Sequence, residues 1–398
     1  MKYIVLVGDG MADYPLKELN GRTPLEAARL PNMNFIAHAG RLGRVRTIPE
    51  RMAPASDVAN ISILGYDPKM YYTGRGPLEA ANLGVELDAD DVAFRCNLIT
   101  VSADKLIDYS AGHITSHEAD TLITSVNKHL GSERIIFYPG VSYRHLMVVK
   151  GGRREGLESV KCLPPHDIIG GRFKKKLPKG KGSELLTSLM EKSRHLLEAH
   201  EINQVRIDLK ENPANMIWLW GQGLKPSMPA FSEKYGVSGS VISAVDLIKG
   251  VGRIIGLEVI NVPGATGYYD TDYAGKSRAA IASLKKSDFV FLHVEAPDEA
   301  GHNADLREKI TAIERIDQLV LGPILEAMKG SDEFRILVLP DHATPISVRT
   351  HVSVPVLFGI YGKGIEKGGF SGYNEKEAQK SDLYFERGHE LMGYFIKT

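Results

Sequence analysis

The sequence is poor in cysteine, with only Cys96 and Cys162 among 398 residues. Two distant cysteines cannot form the disulfide framework of a small secreted domain, so we interpret them as reduced thiols. No stretch approaches the ~18 consecutive apolar residues of a membrane-spanning helix. The N-terminal apolar run is short and stops at Asp9 without a small-residue cleavage site, which argues against a signal peptide. Together these features predict a cytoplasmic protein.

The chain also lacks an excess of charge of either sign, because 49 lysines and arginines balance 49 aspartates and glutamates. A binder of nucleic acid or of an anionic membrane surface normally carries a basic surplus, so neither partner is expected. The one basic loop, GGRFKKKLPKGKG (170–182), lacks the interleaved aromatic side chains that stack on bases, and we expect it to lie in solvent. The sequence gives no indication of the oligomeric state.

Three apolar, β-branched runs end at acidic residues: YIVLVGDG (3–10), FVFLHVEAPD (289–298) and RILVLPDH (335–342). Continuous apolar runs are typical of strands buried on both faces of a parallel sheet. Helical patterns at 238–256 and 304–328 alternate with them. The pattern predicts an α/β fold in which a mostly parallel sheet is flanked by helices, with polar function at the carboxyl ends of the strands.

Residues 75–213 show a different pattern. They contain two strand-like segments, AFRCNLITV and RIIFYPGVSYRHLMVVKG, and two helical segments, EADTLITSVNKHL and SELLTSLMEKSRHLLEAH. This mixture predicts a smaller α+β domain inserted between the two parts, 1–74 and 214–398, of the larger α/β domain. At roughly 150 residues per domain, the chain is long enough for both.

Side chains that bind metal ions gather at the predicted strand ends. The oxygen and nitrogen donors are Asp9, Asp298, His302, Asp341, His342 and His351. Asp298 and His302 are four residues apart, so on a helix they project from one face. A single pair of this kind is more often surface chemistry or a helix cap. Convergence at neighbouring strand ends instead indicates a site for divalent first-row ions, and the number of donors suits two.

Ser56 lies in RMAPASDVANISILGYDP (51–68), directly before a helical pattern. One interpretation makes it a plain N-cap, because serine oxygens commonly accept hydrogen bonds from the first turn. The other makes it a metal ligand and a nucleophile that attacks phosphorus with help from the helix N-terminus. The residues alone leave both interpretations open.

Five motifs together carry a resemblance to a known family: GDGMAD, APASDVANISILGYDP, TGRGPLEAANLG, EAPDEAGH, and PDHATP followed by His351. In this order they resemble the archaeal-type, 2,3-bisphosphoglycerate-independent phosphoglycerate mutases of the alkaline phosphatase superfamily. The resemblance covers essentially the whole chain. It implies an alkaline-phosphatase-like fold and two divalent metal ions, which could be manganese, zinc, cobalt or magnesium, and no 2,3-bisphosphoglycerate cofactor.

The resemblance also implies roles for individual residues. Ser56 would be the phosphorylated nucleophile and would bind one ion together with Asp9, Asp341 and His342. The second ion would be held by Asp298, His302 and His351. Further catalytic or substrate-binding cations would be Lys276, Arg75, Arg95, His113 and Arg144, although each could equally be a solvated basic residue. The inserted domain would bind substrate and act as a lid.

The expected activity is interconversion of 3-phosphoglycerate and 2-phosphoglycerate, in glycolysis and gluconeogenesis, through a phosphoserine intermediate. A phosphomonoesterase or phosphonate hydrolase of the same superfamily would use the same ions and serine but admit water. A phosphotransferase with another substrate or acceptor is a further alternative. A non-catalytic metal-binding scaffold is the last, and it would not need Ser56.

Overall fold

Strands and helices alternate along residues 1–397, the part of the chain that the computed structural model describes. The strands are β1 (Lys2–Gly8), β2 (Arg41–Val45), β3 (Val92–Ser102), β4 (Lys105–Asp108), β5 (Ile135–Tyr138), β6 (Arg144–Val149), β7 (Met216–Gly223), β8 (Gly239–Ile242), β9 (Glu258–Val259), β10 (Phe289–Val294), β11 (Phe334–Leu339), β12 (Val356–Gly362) and β13 (Tyr384–Phe385). Alternation of this kind is typical of α/β architecture.

The α-helices are α1 (Pro24–Ala27), α2 (Pro31–Ala39), α3 (Ser56–Ile63), α4 (Pro68–Tyr71), α5 (Arg75–Leu83), α6 (Ser116–Leu130), α7 (Ser183–Glu198), α8 (Glu201–Asp208), α9 (Phe231–Tyr235), α10 (Asp246–Ile254), α11 (Tyr273–Leu284), α12 (Ala296–His302), α13 (Leu306–Arg315), α14 (Gly322–Met328), α15 (Glu375–Ala378) and α16 (Leu391–Lys397). Short 3-10 helices lie at Lys17–Leu19, Gly152–Glu155, Leu157–Ser159, Pro165–Ile168, Phe173–Lys176 and Gly388–Glu390. None of the helices within residues 1–397 combines the length and apolar character needed to cross a bilayer.

The chain divides into two compact units. Unit 1 runs from Met1 to Tyr72 and resumes at Met228, and unit 2 is Thr73–Ser227. The first boundary lies two residues from the one predicted at 74/75. The second lies well beyond the predicted 213/214, because β7 pairs with β3 and therefore belongs to the sheet of unit 2. The sequence analysis did not predict β7, so it ended the insertion too early.

Unit 1 is built on an eight-stranded sheet in the order β13-β2-β12-β11-β1-β10-β8-β9. Five of its seven strand pairings are parallel and two are antiparallel. Every residue of β10 and of β11 is buried, as the continuous apolar runs predict for strands covered on both faces. The predicted fold class, a mostly parallel α/β sheet flanked by helices, is confirmed.

One predicted helix is wrong in its first half. Residues 238–256 were expected to be helical throughout, but they form β8 followed by α10. Gly239 to Ile242 of β8 pair in parallel with Phe289 to Leu292 of β10. Pairing with a buried central strand outweighs the local helical pattern, and the β-branched Val241 and Ile242 suit the strand.

The other predicted helix, at 304–328, is present as a continuous helical run with an irregular centre. A π-helical segment, Ile316–Leu321, joins α13 to α14. Pro323 has no backbone N–H and lies in the first turn of α14, so the regular ladder cannot pass through it unchanged. Asp317, inside the π segment, accepts a hydrogen bond from the backbone N of Met33 at 2.7 Å. The irregular turn thereby anchors α2.

Unit 2 has an antiparallel sheet in the order β4-β3-β6-β5, with β7 also paired to β3. Its core contains Phe94 of β3, Leu122 of α6, Leu189 of α7 and Trp218 of β7. In the basic loop at 170–182, the side chain of Phe173 is buried while the three lysines that follow it are exposed. The expectation that the charged part of this loop lies in solvent is therefore confirmed.

Candidate functional site

Three neighbouring strands bring the predicted acidic residues together in unit 1. The strands β11, β1 and β10 are adjacent and parallel, so their carboxyl ends lie side by side. Asp9 follows β1, and its backbone N donates to the carbonyl of Val294 at the end of β10 at 2.9 Å. Asp341 follows β11, and Asp298 lies in α12, which begins directly after β10. The sheet topology places three carboxylates at one edge.

The first group of donors surrounds Asp298. His302 Nε2 lies 3.1 Å from Asp298 Oδ2, and His351 Nε2 lies 3.3 Å from Asp298 Oδ1. The two Nε2 atoms are only 2.9 Å apart. His302 Nδ1 donates to the carbonyl of Arg349 at 3.1 Å, so the neutral ring would present its Nε2 lone pair to the group. Burial opposes protonation of His302, but the hydrogen bond to Asp298 outweighs burial and raises the pKa of the imidazole to about 9. Two imidazoles and a carboxylate thus converge on one point.

The second group contains Ser56. Its Oγ lies 3.0 Å from His342 Nε2, and that nitrogen lies 3.4 Å from Asp9 Oδ1 and 3.5 Å from Asp341 Oδ2. Helix α3 begins at Ser56, but its N-cap residue is Ala55. The interpretation of Ser56 as a plain N-cap is therefore wrong. Its hydroxyl points into the group of donors instead.

Thr344 fixes the tautomer of His342. The Thr344 hydroxyl donates to Asp298 Oδ1, and its oxygen also lies 3.2 Å from His342 Nδ1. Because a hydroxyl has one hydrogen and gives it to the carboxylate, His342 Nδ1 must be the donor of the second bond. The Nε2 lone pair of His342 is then directed at Ser56. The rings of His342 and His351 stack 3.9 Å apart, which joins the two groups.

His293 is a buried donor that the sequence analysis missed. It lies within β10, has no exposed surface, and places Nε2 3.2 Å from Asp9 Oδ2. Asp9, His293 and Asp341 offer ligand atoms that all lie within 4.8 Å of one another, as do Asp298, His342 and His351. Strands buried on both faces are almost entirely apolar, so the histidine within the run FVFLHV was the sequence signal that could have identified this residue.

The polar atoms of the site fit a bound cation. Both carboxylate oxygens of Asp9 and Nε2 of His293 are buried without a hydrogen-bond partner anywhere in residues 1–397. Burial, together with the charges of Asp341 and Asp298, raises the pKa of Asp9 well above its usual range. Uncompensated buried charge of this kind is costly unless a positive ion is present. Mixed carboxylate, imidazole and hydroxyl donors suit a divalent first-row ion.

The pKa values of Asp298 and Lys276 are also shifted from their usual range. Burial opposes ionisation of Asp298, but hydrogen bonds from His302 and His351 outweigh it and hold the pKa of Asp298 well below normal. Lys276 of α11 is fully buried, and burial lowers its pKa to about 8. Its ammonium donates to the carbonyl of His293 at 3.2 Å. Lys276 therefore contacts the backbone of His293, one of the residues that offer metal ligands.

Unit 2 contains a separate cationic cluster centred on Trp220 of β7. The guanidinium of Arg95 lies 4.9 Å from the Trp220 ring, and that of Arg75 lies 5.5 Å from it. Trp220 Nε1 donates to Asn97 Oδ1 at 3.0 Å, which fixes the plane of the ring. Burial lowers the pKa of Arg95, the charge of Glu79 opposes this shift, and the charges of Arg75 and Arg144 add to it. Positive charge is thus concentrated beside one aromatic face.

A chain of aromatic contacts links the remaining predicted residues of unit 2. The His166 ring packs edge-on against Trp220 at 5.5 Å and against Tyr109 at 6.1 Å. Tyr143 contacts Tyr109 at 5.6 Å, His113 at 6.3 Å and the Arg144 guanidinium at 5.7 Å. The four predicted residues, Arg75, Arg95, His113 and Arg144, therefore belong to one connected cluster. Its aromatic members were not predicted, because no local motif marks them.

Comparisons with known proteins point to a single family. Residues 37–203 match the family model described as 2,3-bisphosphoglycerate-independent phosphoglycerate mutase. A protein of that name from Methanosarcina acetivorans is 53% identical over 400 residues, covering 100% of both chains. These matches confirm the resemblance carried by the motifs.

Solved structures show the same similarity. A Pyrococcus horikoshii protein matches with a TM-score of 0.84 and 32% identity, covering 99% of this chain and 96% of its own. A cofactor-independent phosphoglycerate mutase from Thermoplasma acidophilum matches with a TM-score of 0.68 and 27% identity, covering 100% of this chain and 99% of its own. The fold described above is therefore shared over the full chain.

Proposed function

Since this chain belongs to the 2,3-bisphosphoglycerate-independent phosphoglycerate mutases, we propose that it interconverts 3-phosphoglycerate and 2-phosphoglycerate without a bisphosphoglycerate cofactor. Full-length identity of 53% to a relative of that name supports the assignment. The single structural observation that carries it is Ser56, whose hydroxyl lies 3.0 Å from His342 among buried metal donors instead of capping its helix. A scaffold without catalysis has no need of such a serine.

Two divalent cations fit the donors of unit 1. One would be held by Asp9, Ser56, Asp341 and His342, and the other by Asp298, His302 and His351. When bound, such ions lower the pKa of a coordinated hydroxyl and neutralise charge on phosphoryl oxygens. The choice among manganese, zinc, cobalt and magnesium depends on ion supply as much as on these donors.

Ser56 is the group that would carry the phosphoryl between the two hydroxyls of glycerate. In the first half-reaction, Oγ forms a bond to phosphorus as the bond from phosphorus to the substrate oxygen breaks. The hydroxyl proton of Ser56 leaves as Oγ attacks, and the departing substrate oxygen takes up one proton, so the half-reaction consumes no net proton. The free glycerate then presents its other hydroxyl. The second half-reaction reverses these bond changes at that hydroxyl. The start of α3 at Ser56 directs backbone N–H groups of the first turn toward the transferred group.

One side chain and two backbone N–H groups hold Asp341 in one orientation for this reaction. Asn60, one turn after Ser56 in α3, donates to Asp341 Oδ2 at 2.9 Å. The backbone N–H groups of Gly10 and His342 donate to Oδ1 at 3.2 Å and 2.9 Å. These contacts tie the helix that carries the nucleophile to the strand ends that carry the donors, which is the fixed geometry that in-line transfer requires.

The cationic cluster of unit 2 is proposed to bind the carboxylate and phosphate of the substrate. Guanidinium groups present paired N–H donors that match both anions. Arg144 Nε is buried without a hydrogen-bond partner in the described chain, and Arg95 is only 7% exposed. Arg95 Nε lies 3.4 Å from Glu79 Oε1, an ion pair that holds the guanidinium in place. The lid role assigned to the inserted segment from the sequence stays a prediction.

Phosphorus NMR tests the proposed activity. The protein is stripped of metal, resupplied with Mn²⁺ and given 3-phosphoglycerate in the absence of any bisphosphoglycerate. We expect a 2-phosphoglycerate signal to grow without free phosphate. Free phosphate alone would identify a hydrolase, and no change with Mn²⁺, Zn²⁺, Co²⁺ or Mg²⁺ would contradict the substrate assignment.

Two serine variants provide the matched comparison. Ser56→Ala should abolish the 2-phosphoglycerate signal, because it removes the hydroxyl that contacts His342 Nε2, and the hydrogen of the nearby Thr344 hydroxyl is already donated to Asp298. Ser62→Ala changes a buried serine of the same helix, and it should retain the signal. Equal loss in both variants would mean that α3 is merely disturbed.

A further inference from the structure

The strongest unexplained feature of unit 1 is the buried imidazole of His293. Its Nε2 lies 3.2 Å from Asp9 Oδ2, yet it has no hydrogen-bond partner within residues 1–397. The contact is short enough for an ion pair, but it does not meet hydrogen-bond geometry. The ring is fully buried, so water does not compensate the nitrogen from outside the fold. No protein group in residues 1–397 therefore satisfies this nitrogen by a hydrogen bond.

Asp9 has the same deficiency on both of its oxygens. Neither oxygen accepts a hydrogen bond in the described chain, and Asp9 is only 1% exposed. The ion-pair contacts of Asp9 are to His293 through Oδ2 and to His342 through Oδ1. The two oxygens therefore face different imidazoles. A carboxylate in this position can serve ligands on both of its sides.

The buried lysines of unit 1 are engaged elsewhere. Lys309 pairs with Asp13 at 2.7 Å, and the Lys276 ammonium donates to the backbone carbonyl of His293. Asp341, the third member of the group, accepts hydrogen bonds on both oxygens. These bonds fix the orientation of its carboxylate, but their donors are uncharged and do not neutralise it. Two close, buried carboxylates and one unpartnered imidazole nitrogen are thus left for a cation to compensate.

We propose that His293 is a metal ligand, and that Asp9, His293 and Asp341 form a buried cation position. This position shares its two carboxylates with the ligand set inferred from the sequence and adds the imidazole of His293 to them. The site would take a divalent ion that accepts mixed nitrogen and oxygen ligands, such as Zn²⁺ or Mn²⁺. Ser243 supports the ring from the other side, because its Oγ lies 3.4 Å from His293 Nδ1. The inference rests on the proposed metal-dependent function but concerns ion binding alone.

Metal binding measured without substrate tests the proposal. Wild type, His293→Ala and His145→Ala are dialysed against buffered free Zn²⁺ or Mn²⁺, and bound metal is measured by mass spectrometry. His145 is the matched control, since it too is a buried histidine whose Nε2 has no partner in residues 1–397, but it lies in unit 2. We expect His293→Ala to weaken one class of bound ion at least ten-fold while His145→Ala leaves all classes unchanged. Unchanged binding in His293→Ala would overturn the proposal.

A second measurement reads metal binding in the wild-type protein and uses a variant only to assign the signal. Wild-type protein with ¹⁵N-labelled histidine is titrated with Zn²⁺, and the Nε2 signal of His293 is identified by its absence in His293→Asn. Loss of any Nε2 proton and a large shift of the nitrogen on metal addition are expected for a ligand. An Nε2–H retained in the metal-loaded protein would show an ordinary histidine–aspartate hydrogen bond and reject the site. Since neither readout involves phosphoglycerate, a missing mutase activity would count against the proposed function alone.

Discussion

Lys309 offers the sharpest test of how unit 1 holds its metal donors in place. Its ammonium is fully buried and donates to Asp13 Oδ2 at 2.7 Å, to the carbonyl of Thr344 at 2.8 Å and to the carbonyl of Ala12 at 3.3 Å. Ala12 follows Asp9 in the loop after β1, and Thr344 follows His342 in the loop after β11. One cation therefore joins the two loops.

Lys309→Met removes the charge but keeps much of the apolar stem. The change leaves Asp13 buried without its partner, and breaking a buried ion pair in this way costs about 3–5 kcal/mol. With an m-value of about 3 kcal/mol per molar, the urea midpoint should fall by about 1 to 1.7 M. The transition is followed by far-UV circular dichroism, because both tryptophans, Trp218 and Trp220, lie in unit 2 and fluorescence would not report on unit 1.

Two further variants make the reasoning refutable. Lys329→Met is the same substitution at an exposed ion pair with Glu326, and it should leave the midpoint unchanged. The double variant Lys309→Met, Asp13→Leu removes both charges, so it should recover part of the stability lost by Lys309→Met. A Lys309→Met midpoint equal to that of wild type, or a double variant less stable than Lys309→Met alone, would refute the described role of the pair.

Three other predictions follow from the same structure. Trp220→Leu removes the ring beside Arg75 and Arg95. Because each of the two cation–π contacts is worth about 0.5–1 kcal/mol, KM for phosphoglycerate should rise about five- to thirty-fold with kcat little changed. Trp220→Phe, which keeps an aromatic ring, should show a smaller rise in KM. Burial lowers the pKa of His145 to about 3, so between pH 6.5 and pH 3 the folded state binds fewer protons than the unfolded state. The free energy of unfolding should therefore fall by about 1.4 kcal/mol per pH unit as the pH drops through this range. In His145→Asn that part of the slope should vanish in urea titrations at several pH values, and an unchanged slope would contradict it. Removing divalent metal with a chelator should lower the melting temperature, and adding Mn²⁺ back should restore it in a concentration-dependent way; a melting temperature indifferent to metal would count against the ion sites.

The sequence predicted the centre of the sheet because β1, β10 and β11 are continuous apolar runs that end in acids. It failed for β8, where Gly239 to Ile242 follow a helical pattern in the sequence but pair with β10 in the fold. It also failed for β7, whose place beside β3 depends on pairing with residues more than a hundred positions earlier. Local patterns decide elements that are buried on both faces, whereas partners distant in the sequence decide the rest.

The candidate site shows the same division. Donors that directly follow strand ends, such as Asp9 and Asp341, could be predicted because parallel topology places those ends together. His293 could not be assigned a partner, since its neighbour Asp9 follows a different strand, β1. Trp220 lacked any motif, and its role as a platform depends on β7 lying beside β3.

Direct detection of the phosphorylated enzyme tests the central claim most closely. The Mn²⁺-loaded protein is mixed with 3-phosphoglycerate, quenched in acid within one turnover, digested, and mapped by mass spectrometry. The account predicts one phosphoryl group on the peptide that contains Ser56, formed from 3-phosphoglycerate and from 2-phosphoglycerate alike, and absent in Ser56→Ala. Conversion of substrate to product with no phosphoryl group on Ser56 at any quench time would contradict it.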